Sequence, residues 1–523
     1  MKAPSPWLLR LTALAAGLAV GLAHPPFGLL PGLLGYGAIL WALDAPGSRP
    51  LRSAFFRGWL AGVGYFAIGV WWITEAFLVD AAAHGWMAPF ALLFMAGGLA
   101  LFWGLAALAY RAAAVRGAWR VLVFAGCLAA AEWTRGHVFT GFPWNLPGES
   151  WRAGGAVSQA ASVVGPYGLS WITIALGASA AALLGPRPWR RRLAAPGVAL
   201  VALLALTAFG AVRLSQPPPE DPAAPLVRIV QADIDQKDKW KPENLDAIID
   251  AYVSLSRSAP GAPAPAVVVW PEGALPAVID DLLAPGSPYA SRIAAALAPG
   301  QTLLMGANRA GFGAAGGVDY FNSLVALRRG VVGLEATGVY DKHRLVPFGE
   351  FLPFGDLATR LGVRSLVHMP EDFTAGAAPR PITPAGLPSL QPLICYEALF
   401  PRFAEAAWKD GRPKWLLNVS NDAWFGATSG PWQHLNIASY RAIETGLPII
   451  RATPTGVSAV IDSLGRPQAT LGLGETGIID ARLPAALGRT AYGRFGETGF
   501  AIMLLVSLAI IGLQKLDRSE KRD

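Results

Sequence analysis

Long runs of apolar residues fill the first part of the chain and return once near its end. Each run is close to the ~20 residues that a helix needs to cross the hydrocarbon core of a bilayer. The runs are Trp7–Ala23, Phe27–Leu43, Phe55–Leu78, Trp86–Tyr110, Ala118–Thr134, Val157–Leu183, Leu193–Leu214 and Thr498–Leu513. The pattern predicts a multispan α-helical membrane domain of seven helices over residues 1–214. An eighth transmembrane helix and a cytoplasmic tail are predicted within residues 485–523.

The pattern changes after residues 215–225, SQPPPEDPAAP, a Pro-rich segment that is typical of a linker. Over residues 226–484, short apolar runs alternate with longer amphipathic stretches. LVRIVQADI, AVVVW, TLLMGAN, LQPLIC and KWLLNVS predict strands, whereas ENLDAIIDAYVSLSRSA, FAEAAWKDG and WQHLNIASYRAIETG predict helices. Alternating strands and helices favour an α/β domain whose sheets are covered by helices.

The composition agrees with a chain that lies largely in lipid. It is 53% hydrophobic and 15% charged, with a mean hydropathy of +0.40, whereas a soluble domain has about 25% charged residues. The net charge of +8 alone is compatible with nucleic-acid binding. Residues 226–484, however, contain 22 Lys and Arg against 24 Asp and Glu. The basic excess therefore lies in the hydrophobic part, and we expect no nucleic-acid partner.

Basic residues recur in alternate loops between the apolar runs, and this alternation predicts the orientation of the chain. The N-terminus, with Lys2 and Arg10, is placed in the cytoplasm. Further basic residues on that side are Arg49, Arg52, Arg57, Arg111, Arg116, Arg120, Arg187, Arg190, Arg191, Arg192, Lys515, Arg518, Lys521 and Arg522. The boundary residue Arg135, Arg152 and Arg213 fall on the outer side as minor exceptions. Residues 215–497 are thus predicted to lie outside the cytoplasm, with both termini inside.

Glu132 lies in the fifth apolar run, and Arg135, three positions further on, lies at its outer boundary. An ionisable group at membrane depth is costly and often functional. A structural alternative is that the two side chains pair with each other on one helix. The sequence leaves both interpretations open.

The two cysteines have different surroundings. Cys127 lies in LVFAGCLAAA and is predicted to be a small buried apolar residue. Cys395 follows the predicted strand LQPLI. A disulfide would join a membrane segment to a distant globular region, so we expect none. The histidines are scattered and no zinc-protease motif occurs, so neither a metal nor a cofactor is predicted.

Three segments place reactive side chains close to the ends of predicted strands. Glu272 follows VVVWP, Lys342 lies in YDKHRLVPFGE, and Cys395 follows LQPLI. Strand ends are where α/β folds present reactive groups on a rigid scaffold. A carboxylate can take the proton of the thiol, and an ammonium favours the thiolate and stabilises an oxyanion. The expected product of attack on a carbonyl is a thioester, which suits transfer to an amine.

Each of these residues alone has an ordinary structural explanation. A cysteine after a strand is more often part of a core than a nucleophile. A glutamate there is usually a solvated turn residue, and a lysine in a charged stretch is usually solvated. The order of the three segments, taken together, favours catalysis.

Four segments carry a resemblance to a known family: WPE, KHRLVPFGE, ICYE and NDAWFG. They closely resemble the apolipoprotein N-acyltransferase family of the carbon–nitrogen hydrolase (nitrilase) superfamily, and the resemblance covers nearly the whole chain. It implies an αββα sandwich over residues 226–484, on the periplasmic side of a bacterial inner membrane. It also implies transfer of an acyl chain from a phospholipid, typically phosphatidylethanolamine, through a cysteine thioester. The acceptor is the N-terminal amine of an S-diacylglyceryl-cysteine lipoprotein.

The resemblance also implies roles for individual residues. Cys395 matches the nucleophile, Glu272 the general base and Lys342 the group that stabilises tetrahedral intermediates. Supporting roles are implied for Glu350, Tyr396 and Glu397. Substrate contacts are implied for Trp240, Asn322, Asn421, Trp424, Phe425 and Arg441, of which Trp240 matches a mobile-loop tryptophan near the lipid entrance. No cofactor or metal is implied, and we expect a monomer because nothing requires an oligomer.

Two other functions stay open on the residues alone. A membrane-tethered hydrolase of the nitrilase or amidase type would use the same three groups, although a soluble substrate gains nothing from eight membrane helices. A transporter or receptor with a non-catalytic domain would not need the complete set of Glu272, Lys342 and Cys395. Whether water or an amine resolves the acyl-enzyme discriminates between the hydrolase and the transferase.

Overall fold

The computed structural model describes residues 4–46, 48–184, 188–216, 218, 220–258, 264–312, 317–353, 355, 372–403 and 405–520. Contacts within this part of the chain divide it into two compact units. The helical unit comprises Met1–Pro217, Thr428–Thr445 and Arg489–Asp523. The sheet unit comprises Pro218–Ala427 and Gly446–Gly488.

Every apolar run predicted from the sequence is mostly helical in the helical unit. Its α-helices are Pro6–Gly21, Gly35–Asp44, Pro50–Gly69, Ala81–His84, Ala88–Ala113, Arg120–Arg135, Ala161–Ala178, Trp189–Leu214, Gly430–Thr445, Ala491–Phe495 and Thr498–Glu520. Its 3-10 segments are Leu30–Leu34, Trp71–Phe77, Gly85–Met87, Pro147–Ser150, Val157–Ala160 and Ser179–Leu184.

Among the described residues, four helical stretches are long and apolar enough to cross a membrane. They are Ala81–Ala113, Val157–Leu184, Trp189–Leu214 and Thr498–Arg518. A bent pair, Pro50–Gly69 and Trp71–Phe77, qualifies as a fifth if its 54° break lies within one span. The apolar helices Pro6–Gly21 and Leu30–Asp44 are shorter, and Arg120–Arg135 has 16 residues. For the described part of the chain, length and composition thus identify four or five spans and not clearly eight.

The ionisable pair of the fifth apolar run is buried and neutralised within the helical unit. Arg135 donates to Glu132, and Trp103 Nε1 donates to Glu132 Oε1 at 2.6 Å. Arg57 is also buried, and its guanidinium donates to the carbonyl of Ala42 at 2.7 Å, in the last turn of helix Gly35–Asp44. The structural alternative for Glu132 and Arg135, mutual pairing, is therefore confirmed.

Helix Gly430–Thr445 belongs to the helical unit, although strands of the sheet unit precede and follow it in sequence. Trp144 Nε1 donates to Gln433 Oε1 at 2.8 Å. The backbone N–H of Ala153 donates to Asn436 Oδ1, also at 2.8 Å. Buried polar groups in the connection between helices Arg120–Arg135 and Ala161–Ala178 are thus satisfied by a segment that lies far along the chain.

The described residues of the sheet unit form two sheets, ordered β11-β1-β2-β3-β4-β5 and β10-β9-β8-β7-β6. The strands are β1 Leu226–Gln231, β2 Val267–Trp270, β3 Thr302–Phe312, β4 Val318–Arg329, β5 Leu334–Asp341, β6 Leu390–Ile394, β7 Trp415–Val419, β8 Ile449–Ala452, β9 Ser458–Ile461, β10 Pro467–Leu471 and β11 Gly477–Arg482. Strands β1, β2 and β3 run parallel, as do β6, β7 and β8. The outer strands are antiparallel to their neighbours.

Side chains from both sheets share one apolar core, which includes Val269 of β2 and Leu417 of β7. A second core lies on the other face of the first sheet, where Ile249 of helix Leu245–Arg257 packs with Val268. Among the described residues, the other α-helices of this unit are Gln236–Lys239, Ile279–Leu282 and Pro288–Ala294, and its 3-10 segments are Pro242–Asn244, Cys395–Leu399, Glu405–Asp410 and Asp422–Phe425. Because β2 is buried on both faces, its run of β-branched residues is continuous rather than alternating.

Candidate active site

The sheet unit places Glu272 and Lys342 after strands of the first sheet that point in the same direction, and Cys395 after a strand of the second sheet. Strand β5 is antiparallel to β4, which is antiparallel to β3, so β5 points in the same direction as β2. Glu272 follows β2, Lys342 directly follows β5, and Cys395 directly follows β6. Carboxyl ends of strands that share a direction meet at one edge of a sheet.

Lys342 lies between two buried carboxylates. Its Nζ donates to Glu350 Oε1 at 2.8 Å and to Glu272 Oε1 at 3.2 Å. Asn322 Nδ2 donates to the same two oxygens, each at 2.7 Å. Burial alone lowers the pKa of Lys342, but Glu272 and Glu350 outweigh that effect and raise it above the usual value. The ammonium is therefore retained at neutral pH.

The second oxygen of Glu272 is held from the opposite side of the site. The backbone N–H of Asn421, which follows β7, donates to Glu272 Oε2 at 2.7 Å. Strand β3 approaches from behind, because a Cβ added at Gly306 would lie 2.4 Å from the Cα of Glu272. Glycine at 306 therefore allows the backbone contact that fixes the position of this carboxylate.

Glu397 connects the segment after β5 with the end of β6. Its Oε1 accepts from the Tyr340 hydroxyl at 2.9 Å and from the backbone N–H of His343 at 2.8 Å. Its Oε2 accepts from the backbone N–H of Ile394 at 2.8 Å. Burial raises the pKa of Glu397 to about 7, although these hydrogen bonds favour the ionised form. The carboxylate ties the Lys342 loop to the residue before Cys395.

Cys395 occupies a backbone conformation that side-chain-bearing residues rarely adopt, with φ at +46°. A residue held in such a sparsely populated region is typical of an active site. Burial raises the pKa of the Cys395 thiol well above its usual range, with Glu272 adding to the increase and Lys342 opposing it. At neutral pH the sulfur is thus a thiol, and a base must remove its proton during attack.

The other residues expected at the site are placed in different surroundings. Tyr396 is buried, and its ring packs edge-on against Phe400 with 5.0 Å between centroids. The side chains of Trp240 and Trp424 are 51% and 43% exposed, and Phe425 is half-buried. Large exposed aromatic side chains suit contact with apolar substrate groups.

Arg441 lies in the helical unit, on helix Gly430–Thr445. Its guanidinium contacts Glu444 Oε1 at 2.6 Å and Glu149 Oε1 at 3.6 Å. Its expected role in substrate binding stays a prediction, whereas its contacts show a buried ionic cluster within the helical unit.

Three further polar side chains, of Ser420, Asp422 and Lys239, lie near the candidate catalytic residues. Ser420 forms a hydrogen bond with Cys395, and Ser420 Oγ donates to Asp422 Oδ1 at 2.7 Å. Lys239 is 1% exposed and lies in the short charged stretch DQKDKW, where lysines are usually solvated. Local sequence carries no signal for Ser420 and Lys239, because their burial depends on segments distant in the chain, whereas Asp422 belongs to the NDAWFG segment.

A thiol, a carboxylate and a lysine at the strand ends of two packed sheets define a domain of the carbon–nitrogen hydrolase class, here joined to a helical unit. A family model described as carbon–nitrogen hydrolase matches residues 226–492. Another, described as the apolipoprotein N-acyltransferase N-terminal domain, matches residues 16–179. The chain belongs to the apolipoprotein N-acyltransferase family.

Similar proteins align over almost their full length. The chain is 56% identical over 509 residues to the apolipoprotein N-acyltransferase of Caulobacter vibrioides. This alignment covers 96% of this chain and 94% of that protein. It is 39% identical to the enzyme of the same name from Bradyrhizobium diazoefficiens, with 97% and 94% covered. For that of Brucella melitensis the identity is 40%, with 92% and 90% covered.

Proposed function

We propose that this chain is an N-acyltransferase that moves an acyl chain from a phospholipid, through a thioester on Cys395, to a lipoprotein. The acceptor is the N-terminal amine of an S-diacylglyceryl cysteine, and the reaction completes lipoprotein maturation. The observation that carries the proposal is the buried set in which Lys342 contacts Glu272 while the charges of both act on Cys395. Family membership over nearly the whole chain supports the choice of substrates.

The first half-reaction transfers the acyl group to the enzyme. Glu272 takes the proton of Cys395 as the sulfur bonds to the acyl carbonyl carbon, and the carbonyl oxygen becomes an oxyanion. The Lys342 ammonium stabilises that oxyanion, since preorganised charge acts most strongly where water is excluded. The ester C–O bond then breaks, Glu272 returns the proton to the leaving oxygen, and the lysophospholipid departs.

The second half-reaction uses the same groups in the same roles. The acceptor amine attacks the thioester carbonyl, Glu272 takes a proton from the nitrogen, and Lys342 again stabilises the oxyanion. The C–S bond then breaks, and the proton passes from Glu272 to the sulfur. The products are the amide and the Cys395 thiol, ready for another donor.

The proposal also includes the membrane topology, the fold of the catalytic region, the type of acyl donor and the oligomeric state. All eight apolar helices lie in a bacterial inner membrane, both termini are cytoplasmic, and the catalytic residues face the periplasm. The catalytic region has the αββα arrangement of its superfamily, the donor is of the phosphatidylethanolamine type, and the enzyme acts as a monomer. The alternation of basic loop residues supports the orientation.

The test is the intact mass of the purified protein after incubation with phosphatidylethanolamine, for wild type and Cys395→Ala. We expect a hydroxylamine-sensitive acyl adduct on the wild type alone. Addition of a diacylglyceryl-cysteine peptide should then remove the adduct and yield an N-acylated peptide. Cys127→Ala is the matched control, because that cysteine lies in an apolar helix and should leave the adduct unchanged.

Two results would contradict the proposal. A wild-type protein that is folded, forms no adduct and releases no fatty acid is not a thiol acyltransferase. An adduct that water discharges, with no product on the peptide amine, would instead establish a hydrolase.

A further inference from the structure

Two buried hydrogen-bond donors lie on the short helix Gln236–Lys239, beside the catalytic set. Lys239 is 1% exposed and Gln236 is 6% exposed. Neither Lys239 Nζ nor Gln236 Nε2 has a hydrogen-bond partner among the described residues. A buried donor without an acceptor is costly, and more so when it is charged. The helix therefore presents two unsatisfied donors, three residues apart.

Both donors border the catalytic carboxylate. Lys239 Nζ is 3.3 Å from the position that a Cβ on Gly273 would occupy, and the charge of Glu272 acts on the amine. Gln236 Oε1 accepts a hydrogen bond from Asn421 Nδ2 at 3.4 Å, and this contact positions the Gln236 side chain. The same Asn421 holds Glu272 through its backbone N–H.

Glu272 does not satisfy the Lys239 amine. Its Oε1 accepts from Lys342 and Asn322, and its Oε2 accepts from the backbone of Asn421. The carboxylate is thus engaged on both oxygens by groups other than Lys239. Burial lowers the pKa of Lys239 to about 8, so the amine is still mostly protonated at neutral pH. The fitting partner is an anionic group from outside the chain.

A phosphodiester meets these requirements better than the other polar groups of an acyl donor. It carries a permanent negative charge, which a buried ammonium needs, and two non-bridging oxygens, one for each donor. An ester carbonyl offers a dipole without a charge. The oxyanion of the tetrahedral intermediate is transient and already has Lys342.

We propose that Gln236 and Lys239 bind the phosphodiester of the acyl donor and thereby select phospholipids over uncharged acyl esters. The inference rests on the proposed function, and it gives that site a donor-recognition element separate from Glu272, Lys342 and Cys395. The exposed ring of Trp240 adjoins this element in sequence. Charge recognition and an apolar surface are thereby combined within five consecutive residues, 236–240.

The test compares the effect of each variant on an acyl donor that has a phosphodiester, phosphatidylethanolamine, with its effect on one that lacks it, p-nitrophenyl palmitate. The rate of acyl-enzyme formation is measured by intact mass for wild type, Lys239→Met and Lys237→Met. Lys239→Met should slow the reaction with the phospholipid by about ten- to a hundredfold, because a charged hydrogen bond is lost. The rate with p-nitrophenyl palmitate should be unchanged. Lys237, exposed on the same helix, is the matched control and should affect neither donor.

Gln236→Leu provides an independent measurement on the second hydrogen-bond donor, the side-chain amide of Gln236. We expect a smaller loss, again confined to the phospholipid, because the lost hydrogen bond comes from a neutral group. Equal slowing with both donors, in either variant, would overturn the phosphodiester assignment and place the residue in support of Glu272. A wild type that reacts with neither donor would refute the proposed function itself. The two failures are therefore distinguishable.

Discussion

Lys342 is the ammonium on which two buried carboxylates, Glu272 and Glu350, converge. Lys342→Met is expected to abolish acyl-enzyme formation and to destabilise the fold. The free energy of unfolding should fall by about 3–5 kcal/mol, since removal of one partner leaves buried charge uncompensated. The midpoint of thermal unfolding in detergent measures this loss.

The control for that variant is Lys414→Met, because Lys414 is exposed in the same unit. Its unfolding midpoint should match the wild type. If Lys342→Met unfolded at the wild-type temperature, the cluster would not be held together by this ammonium.

Lys239 gives the protein a stability that depends on pH. Its pKa is about 8 in the folded state and about 10.4 in an unfolded chain. Between these values the unfolded state binds more protons, so stability increases as the pH rises from about 8 to about 10. The loss of folding stability that the buried Lys239 ammonium causes is fully present below pH 8, where the amine is protonated in the folded state.

Thermal unfolding of wild type and Lys239→Met across this pH range tests the effect. The variant should be the more stable protein at pH 7, and its advantage should shrink as the pH approaches 10. If the difference in unfolding midpoint between the two proteins stayed constant across this pH range, the Lys239 amine would not be the source of the pH dependence. Loss of activity together with a gain in stability is typical of a residue kept for binding.

The sequence proposes Glu272 and Cys395 because each follows a hydrophobic strand, and Lys342 because it lies in the segment YDKHRLVPFGE; their catalytic roles stay predictions. Glu272, Lys342 and Cys395 therefore stand out in the sequence itself. Lys239 and Ser420 do not, because a lysine in a charged stretch and a serine after a strand are ordinary surface residues. Their roles depend on burial, which segments elsewhere in the chain create.

At the scale of elements, strand β3 supports the site through the close approach of Gly306 to Glu272. Gly306→Ala would place a methyl group 2.4 Å from the Glu272 Cα, so the backbone must shift. We expect most acyl-enzyme formation to be lost and the free energy of unfolding to fall by about 1–3 kcal/mol. Intact mass and thermal unfolding report the two effects.

Gly333→Ala is the matched control, because a Cβ at Gly333 meets nothing within 4 Å. It should retain activity and stability. If the two alanine variants behaved alike, the contact behind Glu272 would have no part in holding the carboxylate.

The elements that the sequence predicts are those with a clear hydrophobic pattern. Strands β1, β2, β6 and β7 follow from their apolar runs, and helix Gly430–Thr445 from its length. Strand β8, Ile449–Ala452, does not follow from the sequence because Arg451 interrupts its short apolar run. FAEAAWKDG is predicted as an α-helix but contains the 3-10 segment Glu405–Asp410. Six residues form too few α-helical hydrogen bonds to offset the cost of helix nucleation.

At the scale of the whole molecule, the distribution of basic residues makes a prediction about sidedness. In a Cys395→Ala background, Val332→Cys should react with a membrane-impermeant maleimide in intact spheroplasts, because Val332 is 98% exposed in the sheet unit. Lys515→Cys, in the final helix, should react after permeabilisation and not before. Labelling in the opposite order would reverse the proposed orientation.

The sequence indicates a helical region and a sheet region, but it does not indicate that they are interleaved. Helix Gly430–Thr445 has the same amphipathic pattern as any helix that covers a sheet. Its membership in the helical unit depends on pairs such as Trp144 with Gln433, almost three hundred positions apart. Pairings over such distances have no local signature.

This interleaving has a consequence for the order of synthesis. A ribosome that has released the first seven apolar runs has not yet made Gln433 or Asn436, so Trp144 and the backbone of Ala153 still lack their acceptors. A fragment that ends at the linker, residues 215–225, would lack both acceptors permanently. Such a fragment could complete these hydrogen bonds only if the rest of the chain were expressed with it. The hydrogen bonds of this early connection are therefore completed only when translation has passed residue 445.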